Sequence, residues 1–347
     1  MTIKVLVVDD SALIRNLLGE IIKSEADLQL VGAAPDAFVA KQMVKQFQPD
    51  VITLDIEMPK VDGLRFLEVL TSARPTPVLM ISTLTEAGAD ATIRSLELGA
   101  IDFIPKPKLG VAQGIEEYRE VILEKIRTAA RSRVKTQPTK VKATSHLSYS
   151  STEKIIAIGA STGGTEAIKS VMEAMPPNAP ATVITQHMPP GYTSTFAKRL
   201  NNCSKMKVVE ARGGERLLPG NAYLAPGDRH MRIVRSGADY RLELHDSERV
   251  SGHRPSVDFM FQSLVKSAGS NVVAALLTGM GKDGAQGLLA LKQSGAFTLC
   301  QNEETCVVYG MPRAAVQMGA ADKVLPLDAI PEAMIMQLEK VNAGSRL

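Results

Sequence analysis

The chain has 347 residues, 45% hydrophobic and 22% charged, an ordinary globular composition and long enough for two domains with separate cores. A net charge of +3 without a concentrated basic patch argues against a nucleic-acid surface, and no apolar run is long enough to span a bilayer. Three cysteines (Cys203, Cys300, Cys306) without CxxC spacing exclude a disulfide framework or a cysteine zinc site, so the expected setting is cytoplasmic, with no signal segment, membrane insertion or nucleic-acid partner.

The small net charge hides an asymmetry: residues 1–107 sum to −5, residues 108–153 to +4 and residues 154–347 to +4. In the first stretch, strand and helix patterns alternate. Strands are predicted at 4–8, 28–34, 51–54, 78–82 and 102–104, with helices at 12–23, 37–47, 63–71 and 86–98 between them. Repeats of β then α with short loops predict a doubly wound, five-stranded parallel α/β sheet, whose ligands sit at the carboxyl ends of the strands.

Polar residues fall at those ends: Asp9 and Asp10, Asp55, Thr83 and Lys106. Acids at strand ends are often caps or turn formers, but here five polar residues share one edge. Three converging carboxylates repel unless a hard cation joins them, which predicts Mg²⁺ with oxygen ligands. A lysine and a threonine hydroxyl opposite suit the oxygens of a phosphoryl group, and Asp55 is the expected nucleophile, forming an aspartyl phosphate.

The Asp9-Asp10 pair, Leu54-Asp55-Ile56-Glu57-Met58-Pro59 with Asp62-Gly63, Thr83, and Phe103-Ile104-Pro105-Lys106-Pro107 together resemble a response-regulator receiver domain. The resemblance implies that Asp55 takes phosphate from a histidine kinase and that Asp10, Asp55 and the Glu57 carbonyl hold Mg²⁺, with Asp9 alongside. It also puts Phe103 at the position of an aromatic that changes rotamer on phosphorylation, although plain core packing explains a phenylalanine there equally well.

Residues 109–133 read as an amphipathic helix. Residues 132–152 lose periodicity and are rich in Ser, Thr and Lys, which predicts a flexible linker containing a solvated His146. The expected domains are therefore 1–107, a helix and linker over 108–153, and a second α/β domain over 154–347.

The second domain opens on Ile155-Ile156-Ala157-Ile158, a buried strand, followed by Gly159-Ala160-Ser161-Thr162-Gly163 and a helix from Glu166 to Met175. Strand, G-x-S-x-G and helix are the context of a nucleophile elbow, with Ser161 as nucleophile; a Gly-rich phosphate loop is the alternative for this segment alone. A strand at 181–186 delivers His187, and an apolar strand at 271–277 leads to a Gly-rich loop bearing Asp283. Ser161, His187 and Asp283 thus converge at one sheet edge by topology, as nucleophile, base and orienting acid. The order Ser, His, Asp differs from the Ser, Asp, His of α/β-hydrolases. Between 207 and 245 short strands punctuated by Gly and Pro, including one at 221–225, predict an antiparallel excursion on a mostly parallel sheet; Ser256 caps a helix through Ser267.

Ile158 to Gly164, Gln186-His187-Met188-Pro189-Pro190-Gly191-Tyr192, Leu224-Ala225-Pro226-Gly227, His253-Arg254-Pro255-Ser256-Val257-Asp258 and Leu277 to Gly284 together resemble the chemotaxis protein-glutamate methylesterases, a receiver joined to a catalytic domain. The resemblance spans essentially the whole chain. It implies hydrolysis of glutamyl γ-methyl esters on chemoreceptors with release of methanol, deamidation of receptor glutamines in some relatives, and no cofactor for the ester reaction. It places Thr162 and the Met280 backbone N–H at the oxyanion. It also implies that the acidic receiver inhibits the esterase by packing across its mouth until Asp55 is phosphorylated.

Overall fold

The computed structural model describes residues 2–59, 61–83, 85–106, 112–132 and 153–343. The chain divides into two compact units, residues 1–138 and 139–347. Residues 133–152 of the predicted linker, His146 among them, lie outside the described residues.

The first unit runs β1 (Ile3–Val8), α1 (Ala12–Lys23), β2 (Leu28–Ala34), α2 (Ala37–Phe47), β3 (Val51–Asp55), α3 (Gly63–Ala73), β4 (Val78–Ser82), α4 (Glu86–Glu97), β5 (Asp102–Pro105) and α5 (Ala112–Arg131). The sheet order is β2-β1-β3-β4-β5, every pairing parallel. β3 and β4 are buried at every position, as expected of strands covered by helices on both faces. Four helices start on side-chain caps: Ser11, Asp36, Asp62 and Thr85 each accept from a backbone N–H of the first turn. Asp62 therefore fixes where α3 leaves the strand-end edge.

The second unit runs β6 (Ile155–Ala160), α6 (Gly164–Ala174), β7 (Ala181–Gln186), α7 (Thr193–Cys203), β8 (Lys207–Glu210), β9 (Asn221–Leu224), β10 (His230–Ser236), β11 (Asp239–His245), α8 (Val257–Ser267), β12 (Val272–Leu276), α9 (Ala285–Gln293), β13 (Phe297–Gln301), α10 (Met311–Gln317), β14 (Lys323–Leu325) and α11 (Ile330–Ala343). Seven strands form a parallel sheet in the order β14-β13-β12-β6-β7-β9-β8. The antiparallel part is narrower than the sequence suggests. Among the strands of the described residues only β10 and β11 pair that way, as a separate two-stranded sheet, while β9, expected within the excursion, pairs parallel with β7 and β8. The Gly-rich punctuation around β9 looks like hairpin turns, but the partner that wins is distant in sequence. Packing places α8 under β10, and the shared core includes Met231, Ile233, Leu242, Phe261 and Leu264.

β6 extends two residues past the predicted strand, so Gly159 and Ala160 are part of the ladder opposite Thr185 and Gln186. α6 begins at Gly164, two residues before the first acidic residue, because Gly163 turns the chain at φ 75°. That conformation is open to glycine and strained for other residues.

Candidate functional site

Parallel strands β12, β6 and β7 lie side by side, and their carboxyl ends deliver Asp283, Ser161 and His187. Ser161 Oγ is 3.1 Å from His187 Nδ1, and His187 Nε2 is 2.8 Å from Asp283 Oδ2. With Nε2–H donating to the carboxylate, Nδ1 presents its lone pair to the serine hydroxyl, the geometry a general base requires. The imidazole is thus engaged through the opposite nitrogens from the chymotrypsin arrangement, with Nδ1 on the serine.

Asp283 is buried, and three more donors reach it: Val257 N–H at 2.7 Å on Oδ2, and Ser256 Oγ at 2.8 Å and Asp258 N–H at 3.1 Å on Oδ1. They come from the first turn of α8, whose positive end favours an anion. Burial alone pushes the carboxyl up, but the His187 hydrogen bond and charge, with the donors from α8, outweigh it and hold Asp283 below its ordinary value. Asp258 beside it goes the other way, pushed up to about 6 by burial and by the Asp283 charge, against the hydrogen bond from Gly287 N–H.

Gly279 packs so tightly on Ser161 that a Cβ there would lie 2.8 Å from the serine Cβ, which brings the 279–280 backbone alongside the nucleophile. Thr162 is buried, and its carbonyl accepts from Thr278 Oγ1 at 3.0 Å. Thr162, next to Ser161 in the chain, is thus tied to the loop that carries Gly279 and, after it, Met280.

Several partners lie in the quoted motifs, but the sequence assigns them no role beside the triad. Gln186 Nε2 donates to the carbonyls of Ser161 at 2.8 Å and His187 at 3.3 Å, tying nucleophile and base through one buried amide. Ser256, the cap of α8, accepts from Phe259 N–H at 3.2 Å and also donates to Asp283. The His253 ring lies on that of His187. The periodic signal ends at β7 and α8, and these contacts form between loops.

In the first unit, carboxylate oxygens of Asp9, Asp10 and Asp55 lie within 4.8 Å of one another. Lys106 Nζ is 2.8 Å from Asp55 Oδ2 and 3.3 Å from Asp9 Oδ2. Burial raises Asp55 to about 6 and also raises Asp9, while the Asp55 and Asp9 charges outweigh burial to raise Lys106. Asp9 Oδ2 is buried and, despite its nearness to Lys106, receives no well-aligned hydrogen bond. Among the described residues a single lysine, Lys106, pairs with this cluster, at Asp9 and Asp55, and the all-oxygen donors of the three carboxylates suit a hard divalent cation.

Thr83 does not meet Asp55 or Lys106 directly here; its hydroxyl donates to Glu57 Oε1 at 3.0 Å. Glu57 N–H in turn reaches Asp55 Oδ1 at 3.3 Å. Phe103 is buried, with Lys125 Nζ 5.7 Å from its ring centre. Arg15, which the sequence did not single out, donates to the carbonyls of Asp9 at 2.7 Å and Asp10 at 2.9 Å, fixing the loop that carries both acids. Among the described residues no helix is long and apolar enough to cross a membrane.

Comparison with known proteins agrees across the whole chain. The family described as CheB methylesterase matches residues 156–334, and the response regulator receiver domain matches residues 5–112. A protein-glutamate methylesterase/protein-glutamine glutaminase 2 of Pseudomonas aeruginosa is 58% identical over 349 residues, covering 100% of both chains. A protein-glutamate methylesterase/protein-glutamine glutaminase of Salmonella typhimurium is 53% identical over 350 residues, covering 99% of both. The crystal structure of the Thermotoga maritima CheB methylesterase catalytic domain, 40% identical, superposes with a TM-score of 0.52 over 53% of this chain and 98% of that one. The chain belongs to the CheB methylesterase family, with a response regulator receiver domain preceding its methylesterase domain.

Proposed function

We propose that this chain hydrolyses γ-methyl esters of glutamate on chemoreceptors, and deamidates receptor glutamines, through an acyl-enzyme on Ser161. The observation that carries the reading is the continuous hydrogen-bonded line from Ser161 Oγ through His187 to Asp283, at 3.1 and 2.8 Å. Ser161 Oγ attacks the ester carbonyl while His187 Nδ1 takes its proton. Asp283 stabilises the resulting imidazolium, and backbone donors at Thr162 and Met280 face the developing oxyanion. His187 returns the proton to the departing methoxide, and methanol leaves. Water, deprotonated by the same imidazole, then cleaves the acyl-enzyme to free glutamate and regenerates Ser161. With a glutamine side chain ammonia leaves instead, by the same two steps. The ester reaction needs no group beyond these side chains and water.

In the receiver, Asp55 is the proposed phosphoryl acceptor, taking the group from a chemotaxis histidine kinase. Asp9, Asp10, Asp55 and the Glu57 carbonyl would hold Mg²⁺, which when bound neutralises charge on the phosphoryl oxygens. Lys106, paired to Asp55 at 2.8 Å, offers a cation on the same side, and the Thr83 hydroxyl must leave Glu57 to reach a phosphoryl oxygen. Phe103 is the aromatic proposed to respond. The receiver holds the esterase inactive until Asp55 is phosphorylated; the −5 of residues 1–107 against the +4 of residues 154–347 supports attraction between them. Residues 108–153 serve as the connection in this reading.

Mass spectrometry after incubation with a serine-directed fluorophosphonate tests the nucleophile. One adduct on Ser161, absent from Ser161→Ala, is expected. Modification elsewhere, or none, together with nucleotide-induced thermal stabilisation, would favour a phosphate-binding loop at Gly159 to Gly164.

A further inference from the structure

The ring of His253 stacks on the ring of His187, with centroids 3.7 Å apart and planes 14° from parallel. Neither ring is placed there by a strand or a helix shared with the other. Val250 and His253 close a tight turn through two backbone hydrogen bonds, Val250 N–H to the His253 carbonyl at 3.1 Å and the reverse at 2.9 Å. Its two central residues, Ser251 and Gly252, take φ of 54° and 81°, and a serine at positive φ is uncommon. The next residue, Arg254, anchors this turn with four hydrogen bonds: two to Asp228 Oδ1 at 2.9 and 2.8 Å, and one each to the Asp246 and Ser247 carbonyls at 3.0 Å. The loop is thus rigid at its base, and it carries an imidazole to the face of the base.

The edges of His187 are already held, by Ser161 at Nδ1 and Asp283 at Nε2. The first of these is lost during the reaction proposed above, because an acylated Ser161 Oγ no longer engages Nδ1. From then on the ring is fixed along one edge alone, while Nδ1 must protonate the leaving group and next deprotonate water. A ring stacked flat on its face keeps its plane through both transfers and covers that face from solvent.

We propose that His253 is a positioning residue whose stacked ring holds the plane of His187 through acylation and deacylation. The proposal rests on the serine-hydrolase reading and concerns orientation, without contact to the reacting carbonyl.

The test uses the full chain, with Mg²⁺ and acetyl phosphate present throughout. Wild type, Ser161→Ala, His253→Ala and His253→Phe are compared by the rate and half-saturation of fluorophosphonate labelling at Ser161, and by kcat and KM for methanol release from methylated receptor membranes. His253→Ala should lower the maximal labelling rate and kcat about tenfold, the scale of one aromatic pair, with half-saturation and KM within about twofold of wild type. His253→Phe, which restores a ring without imidazole nitrogens, should recover activity to within about threefold. Should the alanine variant unfold, His253→Gln fills similar space without a ring and is expected to show the same loss.

Wild-type rates in His253→Ala would overturn the proposal. So would an equal loss in His253→Phe, which would assign the role to a ring nitrogen, or a loss confined to KM, which would assign it to substrate docking. If wild type itself fails to label at Ser161, the hydrolase reading falls and this proposal with it; labelling of wild type with unaffected variants would sink the proposal alone.

Discussion

Replacing Asp283 with asparagine removes one negative charge and keeps the shape. The carboxylate accepts from His187 Nε2 and Val257 N–H on Oδ2, and from Ser256 Oγ and Asp258 N–H on Oδ1. An amide has one acceptor oxygen, so one of these two pairs must face its NH₂ group. With the NH₂ at the Oδ2 position it opposes Val257 N–H at 2.7 Å and forces the His187 proton onto Nδ1, where it points at Ser161. With the NH₂ at the Oδ1 position it opposes only Asp258 N–H at 3.1 Å, since the Ser256 hydroxyl accepts as well as donates. The second arrangement is the better one, so His187 keeps its proton on Nε2 and remains a base.

What disappears is the charge opposite the imidazolium. At about 4 Å between charge centres and an effective dielectric constant of about 20 that attraction is about 4 kcal/mol, an upper figure of about 10³ in rate. Methanol release from methylated receptor membranes by Asp283→Asn should therefore show kcat reduced about 10²- to 10³-fold with KM little changed. A fall under about tenfold would refute the role given to the carboxylate, and a fall of about 10⁴ or more would mean that the tautomer inverts after all.

The same variant should lose about 1–3 kcal/mol of stability in urea unfolding at neutral pH, for the backbone donor left opposed. Because Asp283 is held below its ordinary 3.8, the stability it contributes is present above that pH and fades as pH falls through the lowered value; the deficit of Asp283→Asn should shrink by pH 3. A deficit that is constant with pH would contradict the depressed carboxyl. Gly163→Ala combines φ 75° with a Cβ 2.6 Å from Val307, and should cost about 2–4 kcal/mol in unfolding together with a loss of labelling at Ser161. Near-wild-type stability would mean that the turn readily reorganises. Mg²⁺ should raise the melting temperature of the receiver unit and Asp10→Asn should abolish most of that rise, as calorimetry with and without EDTA would report; an undiminished rise would place the ion elsewhere.

Much of this architecture could be read from residue pattern because the central strands of both sheets are fully buried. The continuous apolar runs of β3, β4, β6 and β12 have no alternation to confuse, and parallel topology then sends their carboxyl ends to one edge. Asp9, Asp55 and Lys106 in one unit, and Ser161, His187 and Asp283 in the other, follow from that rule alone. Residues whose partners come from loops escaped it. Gln186 is one more polar residue at a strand end until its amide is seen bridging two carbonyls, and His253 reaches His187 through a positive-φ turn that no periodicity marks. The Thr83 hydroxyl donates to Glu57 here, a local hydrogen bond at the strand-end edge that spacing does not reveal. β14 leaves no mark in the residue pattern because Lys323 to Leu325 is a short edge strand with two exposed residues and no apolar run.

The central claim is that Ser161 is the nucleophile of a glutamyl methylesterase. Its most direct test is the release of labelled methanol from receptor membranes carrying methyl-labelled glutamates, comparing the full chain activated with acetyl phosphate and Mg²⁺ with its Ser161→Ala variant. Steady release by the wild type, falling at least about 10³-fold in the variant, is the predicted result. Equal release by the two proteins would contradict the account.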